Sequence, residues 1–130
     1  MCSIPSNFSG APVIIVAEDE PLIRMMISEI LSDEGFEILE ARHAEEALAI
    51  LRDRANDVAM LFTDIQMPGE MDGLELVRRA RGQWPWIALL VTSGKARPMA
   101  RDMPDGSRFI SKPYDPDHVV RQVRELVAAA

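Results

Sequence analysis

The residues 13–21, VIIVAEDEP, end an aliphatic run in three consecutive acids and a proline. Further along, VAMLFT runs into Asp64, WIALLVT closes on Thr92, and RFISK closes on Lys112. Carboxylates about 5 Å apart repel by about 3 kcal/mol at an effective dielectric near 20. Acids that converge on one pocket therefore call for a cation. A hard divalent ion such as Mg2+ fits, because it takes one or two protein carboxylates and keeps places for water and phosphate oxygens. Glu18, Asp19 and Asp64 are the carboxylates this selects. Glu20 sits at a helix entry, where a negative charge suits the positive end of the helix dipole instead. An aspartate is also a nucleophile toward phosphorus, giving an aspartyl phosphate. Asp64, at the end of a buried strand and before a tight turn, is the candidate. The cation would offset charge on the phosphoryl group, Lys112 would clamp one of its oxygens, and the Thr92 hydroxyl would donate to another.

These residues need elements that bring them together. Short aliphatic runs alternate with helical patterns along the chain. The first run is 13–17; Pro21 opens a helix, a position that tolerates proline. Leu22, Ile23, Met26, Ile27, Ile30 and Leu31 form its apolar stripe, and Gly35 suits its stop. The second run is 36–41, followed by a helix with Ala44, Ala47, Leu48 and Leu51 on one face. The third is 58–63, and a helix over about 72–82 follows the turn MPGEMDG. The fourth is 86–92, the fifth 108–112, and a last helix starts near Asp115 with Val119, Val120, Val123, Leu126 and Val127 as its stripe. Between them lies SGKARPMARDMPDGS, 93–107, whose prolines and glycines leave room for a short helix at most. Five strands alternating with helices imply a parallel sheet covered on both faces. In such sheets ligands bind beyond the carboxyl ends of the strands, where the acids, Thr92 and Lys112 all fall.

Composition narrows the function classes. The chain has 130 residues, a formal net charge of −7 and one cysteine, Cys2. Such a length fits one domain, expected over 13–130 behind a flexible tail of residues 1–12. The negative balance argues against nucleic-acid and anionic-membrane partners. A single cysteine forms no internal disulfide, and the N-terminus lacks a signal-peptide pattern, so a cytoplasmic setting is expected. His43 and His118 have no companion that completes a metal site and read as surface residues. The methionines at 25, 26 and 60 read as core filler.

The ordered set VAEDEP, TDIQMPGEMDG, VTSG and SKPY resembles the receiver domain of bacterial two-component response regulators, over residues 13–128. The resemblance implies an α/β, flavodoxin-like five-stranded parallel sheet of order 2-1-3-4-5 with helices on both faces. Position by position, it makes Glu18 and Asp19 the acidic pair that holds Mg2+, and Asp64 the phosphoacceptor. Gln66 becomes the turn residue whose backbone carbonyl binds the metal, Thr92 the switch hydroxyl, Phe109 the switch aromatic and Lys112 the phosphate-contacting lysine. It also makes the Lys112–Pro113 bond cis. Three features depart from the commonest pattern. The turn MPGEMDG is one residue longer, Ser93 stands where alanine is frequent, and Phe109 lacks the hydroxyl of the frequent tyrosine.

The expected function is that of a stand-alone receiver phosphorylated by a sensor histidine kinase or a histidine phosphotransfer protein, signalling through a changed surface. Its downstream protein is unnamed by the sequence, and a second copy of the chain is a candidate partner. The part of the surface expected to move is 93–107. Two other classes stay open: an adaptor with a disused site, and an Mg2+-dependent phosphatase with an aspartyl intermediate. The latter class resembles DxD after a first strand, whereas Asp64 ends the third run and is followed by Ile65 and Gln66.

Overall fold

The computed structural model describes residues 12–95 and 97–129. The tail expected over 1–12 lies outside them except for Pro12, whose carbonyl accepts from the Glu37 amide at 3.0 Å. Five strands, β1 (Val13–Ala17), β2 (Glu37–Ala41), β3 (Val58–Asp64), β4 (Ala88–Ser93) and β5 (Arg108–Ser111), form one parallel sheet of order β2-β1-β3-β4-β5. Four α-helices accompany them: α1 (Pro21–Asp33), α2 (Ala44–Arg54), α3 (Gly73–Gln83) and α4 (Pro116–Ala129).

Alternation along each strand splits the core in two. Ile15, Leu61, Leu89 and Val91 face α2 and α3, meeting Ala47, Leu51, Leu76 and Ala80. Ile14, Val16, Met60, Phe62 and Leu90 face α1 and α4, meeting Ile27, Leu31, Val119 and Val123. Each fully buried Leu or Ile here contributes roughly 1.5–3 kcal/mol relative to an exposed one. β1 and β3, at the middle of the sheet, are the most completely covered, which is why their sequences read as unbroken apolar runs.

Three local features differ from the sequence expectations. β4 begins at Ala88, not 86, because Pro85 sits in a turn in which the Ile87 amide donates to the Trp84 carbonyl at 3.1 Å. The outer side of α1 is apolar but uncovered: Leu22 is 76% exposed, Met25 49% and Met26 41%, so only Met60 of the three expected methionines fills the core. His43 is half-exposed yet structural, since its Nδ1 caps α2 by accepting from the Glu46 amide at 3.1 Å. Between β4 and β5 the described residues hold one short 3-10 turn, Ala100–Asp102, as the prolines and glycines of that segment foretell. No described helix is long and apolar enough to cross a membrane.

Candidate functional site

Strand register sets the site. Asp64 on β3 pairs with Thr92 on β4, and Ala17 on β1 pairs with Thr63, so the carboxyl ends of β1, β3 and β4 lie level. The chain then leaves β1 through Glu18 and Asp19 before α1 starts. The Glu18 amide donates to the Ala41 carbonyl at 3.0 Å, and Arg24 Nη1 donates to the Glu18 carbonyl at 2.8 Å, which ties the acidic turn to both its neighbours. Arg24 also pairs with Glu40 at 3.0 Å.

Lys112, carried just beyond β5, reaches back across the sheet end. Its Nζ donates to Glu18 Oε1 at 3.0 Å and to Asp64 Oδ2 at 3.1 Å. Its peptide bond to Pro113 is cis. Glu18 is 3% exposed and Asp64 4%, while Asp19 is exposed. Carboxylate oxygens of all three lie within 4.8 Å of one another. Burial pushes the pKa of Glu18 up, with the Glu20 amide and Lys112 pulling it back; burial likewise pushes Asp64 up against the opposing pull of Lys112. Desolvation by itself would lower the lysine, but its hydrogen bonds to Glu18 and Asp64 hold it above the ordinary range and fully protonated.

The donor set fits a hard divalent cation. Three carboxylates converge against one ammonium, and Asp64 Oδ1 is buried without a hydrogen-bond partner. An orphaned buried carboxylate oxygen is costly unless a ligand engages it. Glu18, Asp19 and Asp64 are the side chains that would hold such an ion.

The turn after β3 is shaped around Asp64. An added Cβ on Gly73 would lie 2.0 Å from the Asp64 carbonyl oxygen, so only glycine lets the start of α3 approach this closely. The Gly73 amide donates to the Ile65 carbonyl at 2.9 Å, and Asp72 caps α3 through the Glu75 amide. The longer turn takes a left-handed residue at Gly69, φ +107°, and is held from α2 by Glu45, whose Oε2 accepts from the Met71 amide at 3.2 Å. Nothing in the sequence pairs Glu45 with that turn, 26 residues away.

Gln66 is half-buried, and its side-chain oxygen accepts from Ser93 Oγ at 2.8 Å. Thr92 is fully buried, and its hydroxyl meets not Phe109 but Tyr114: Tyr114 Oη lies 2.8 Å from Thr92 Oγ1. The Tyr114 ring packs edge-on against Phe62, with centroids 6.2 Å apart. Burial pushes the Tyr114 pKa up to about 12, so the phenol keeps its proton at any working pH. Phe109 is half-buried and lies under the Arg97 guanidinium, 5.0 Å from its ring centroid. The structure thus brings together Glu18, Asp19, Asp64 and Lys112, places Thr92 on the strand beside Asp64, and leaves Phe109 packed beneath Arg97. Tyr114 was missed, although it stands in SKPY, because an aromatic after a proline carries no sign of the threonine it will meet.

Comparison with known proteins follows the same lines. The family model described as "Response regulator receiver domain" matches residues 14–124. The sensor kinase CckA of Brucella abortus is 31% identical over 125 residues, covering 94% of this chain and 13% of that protein. The probable transcriptional regulatory protein TcrX of Mycobacterium tuberculosis is 30% identical over 122 residues, covering 91% of this chain and 51% of that protein. The chain therefore spans about half, or much less, of the length of these relatives. A response regulator receiver protein from Sinorhizobium medicae superposes with a TM-score of 0.86 at 26% identity, over 92% of this chain and 96% of that one.

Proposed function

The chain belongs to the response regulator receiver domain family, and from that premise we propose that Asp64 is its phosphoacceptor in an Mg2+-dependent reaction. Receivers of this family are phosphorylated on an aspartate. The observation that carries the assignment to Asp64 is its buried, unpartnered Oδ1, with Oδ2 held by Lys112. Lys112 anchors one oxygen, and the other makes no hydrogen bond of good geometry, the nearby Gln66 amide only drawing the carboxyl pKa down.

In the transfer, Asp64 Oδ1 forms a bond to phosphorus as the donor's bond to phosphorus breaks. The donor is a phosphohistidine N–P bond in a kinase or phosphotransfer protein, or the O–P bond of a small acyl phosphate, and the departing atom takes a proton where it needs one. Lys112 opposes the upward push that burial gives the Asp64 carboxyl, then has a phosphoryl oxygen within reach. Thr92 supplies a hydroxyl from the neighbouring strand. Glu18, Asp19, Asp64 and, by resemblance, the backbone carbonyl of Gln66 would hold Mg2+, which would supply charge compensation for the phosphoryl oxygens. Leu22, Met25 and Met26 stand exposed on α1 beside the acidic turn, an apolar surface suited to a protein donor that must present its phosphorus there. The signal then leaves through a changed surface, with the segment 93–107 and the Phe109 side as the part that changes.

The test is intact-mass spectrometry after incubation with Mg2+ and acetyl phosphate. The wild type should gain one phosphoryl group, removed by a chelator beforehand and abolished in Asp64→Asn. Undiminished labelling of Asp64→Asn refutes the assignment. No incorporation at all favours the adaptor reading, and sustained turnover of an external phosphate ester, supplied in place of acetyl phosphate, favours the phosphatase.

A further inference from the structure

The hydroxyl of Thr92 is the one polar side-chain group contributed to the site by β4's pairing position beside Asp64, and it is already engaged. Tyr114 Oη stands 2.8 Å from it. The two residues are 22 positions apart in the chain. A fully buried threonine hydroxyl has two lone pairs and one proton. With no partner it rotates freely, and its proton has no preferred direction.

We infer that Tyr114 is a positioning residue for phosphoryl transfer: its phenolic proton is donated to Thr92 Oγ1, which leaves the threonine's own proton for the incoming phosphoryl oxygen. This rests on Asp64 being the phosphoacceptor. Three observations support it. The Tyr114 ring is fixed edge-on against Phe62, so the phenol is held in place by packing and not by the hydroxyl contact alone. Its proton is retained across the working pH range, which makes it a steady donor. Phe109, the aromatic on β5, has no hydroxyl and is turned to Arg97, so among the described contacts the phenol that addresses Thr92 comes from Tyr114. A donor chain of two hydroxyls also polarises the second O–H, which strengthens its bond to a phosphoryl oxygen.

The role belongs to the hydroxyl, not the ring, so Tyr114→Phe separates the two by keeping the packing on Phe62. The initial rate of labelling by acetyl phosphate, read by intact mass at saturating Mg2+, should fall roughly three- to tenfold, the effect of one neutral hydrogen bond. Thr92→Ala should slow labelling at least as much. Because Tyr114 acts only through Thr92, adding Tyr114→Phe to Thr92→Ala should change the rate no further, whereas in Thr92→Ser, which keeps a hydroxyl, Tyr114→Phe should still slow it. A thermal melt of each variant confirms that the fold persists. Additive losses in the double variant, or a Tyr114→Phe rate equal to wild type, overturn the positioning role while leaving Asp64 as acceptor. A wild type that takes up no phosphate overturns both.

Discussion

Replacing Lys112 by methionine tests the electrostatics of the site without touching the carboxylates. The variant keeps an unbranched stem of similar volume but removes the ammonium that bridges Glu18 and Asp64 at 3.0 and 3.1 Å. The side chains of those acids are 4% and 5% exposed, and that of Lys112 is 19%, so water screens the change poorly. Two carboxylates with oxygens within 4.8 Å repel by about 3.5 kcal/mol at an effective dielectric near 20. The folded variant must bear that repulsion or take up a proton; the unfolded chain does neither. Near pH 7.5 and with chelator present, Lys112→Met should lose about 2–4 kcal/mol, the order seen when one partner of a buried pair is removed. For a domain of this size that is roughly 10 °C in melting temperature. The sign with pH follows from the raised carboxylate values. Both acids are already shifted upward by burial, and losing the ammonium shifts them further. The folded variant then binds more protons than the unfolded chain, so its deficit is full above the raised values and fades as pH falls toward the ordinary carboxylate range. Millimolar Mg2+ should restore part of the loss, since an ion held at the proposed site would engage the folded state alone. Urea or thermal melts at pH 5 and 7.5, each with chelator or Mg2+, measure all four corners. A variant as stable as wild type at pH 7.5 in chelator, or a deficit indifferent to both pH and Mg2+, would refute the reasoning.

Other outcomes follow from the turns and the exposed face. Gly73→Ala should cost about 3 kcal/mol or more, because the new Cβ meets the Asp64 carbonyl and not a yielding side chain; chemical denaturation checks it, and a loss below about 1 kcal/mol would mean that the turn relaxes freely. Glu45→Ala should cost about 1 kcal/mol by freeing the Met71 amide, and should slow acetyl-phosphate labelling more than an exposed control such as Glu29→Ala. Amide hydrogen exchange over 97–107 should be faster than in β3 and should change on phosphorylation, because a single 3-10 turn is the regular structure described there; protection equal to β3 in both states would remove this segment from the output.

The strands could be read directly because β1, β3 and β4 are buried on both faces, which leaves aliphatic runs with few alternatives. Their polar ends could be read for the same reason: an acid or a lysine that interrupts such a run is conspicuous. What escaped was settled by side-chain contacts between distant segments. Met25 and Met26 have the apolar character of the α1 stripe, but no element of the described structure covers their side of the helix. Glu45 and Tyr114 are ordinary residues of a helix and a turn until tertiary packing brings Met71 and Thr92 to them. Local periodicity carries no information about such meetings, and the length of the turn after Asp64 was the one visible hint that something had to hold it.

The bond from Lys112 to Glu18 joins residues 94 positions apart, and β5, which carries the lysine, pairs with β4 alone. During synthesis from the N-terminus, Glu18 and Asp64 are made long before the ammonium that reconciles them. A chain that has not yet been made as far as β5 lacks the counter-charge of Glu18 and Asp64. On the assignment proposed above, the phosphate clamp is therefore supplied by the last strand to be made, when it docks at the sheet's edge.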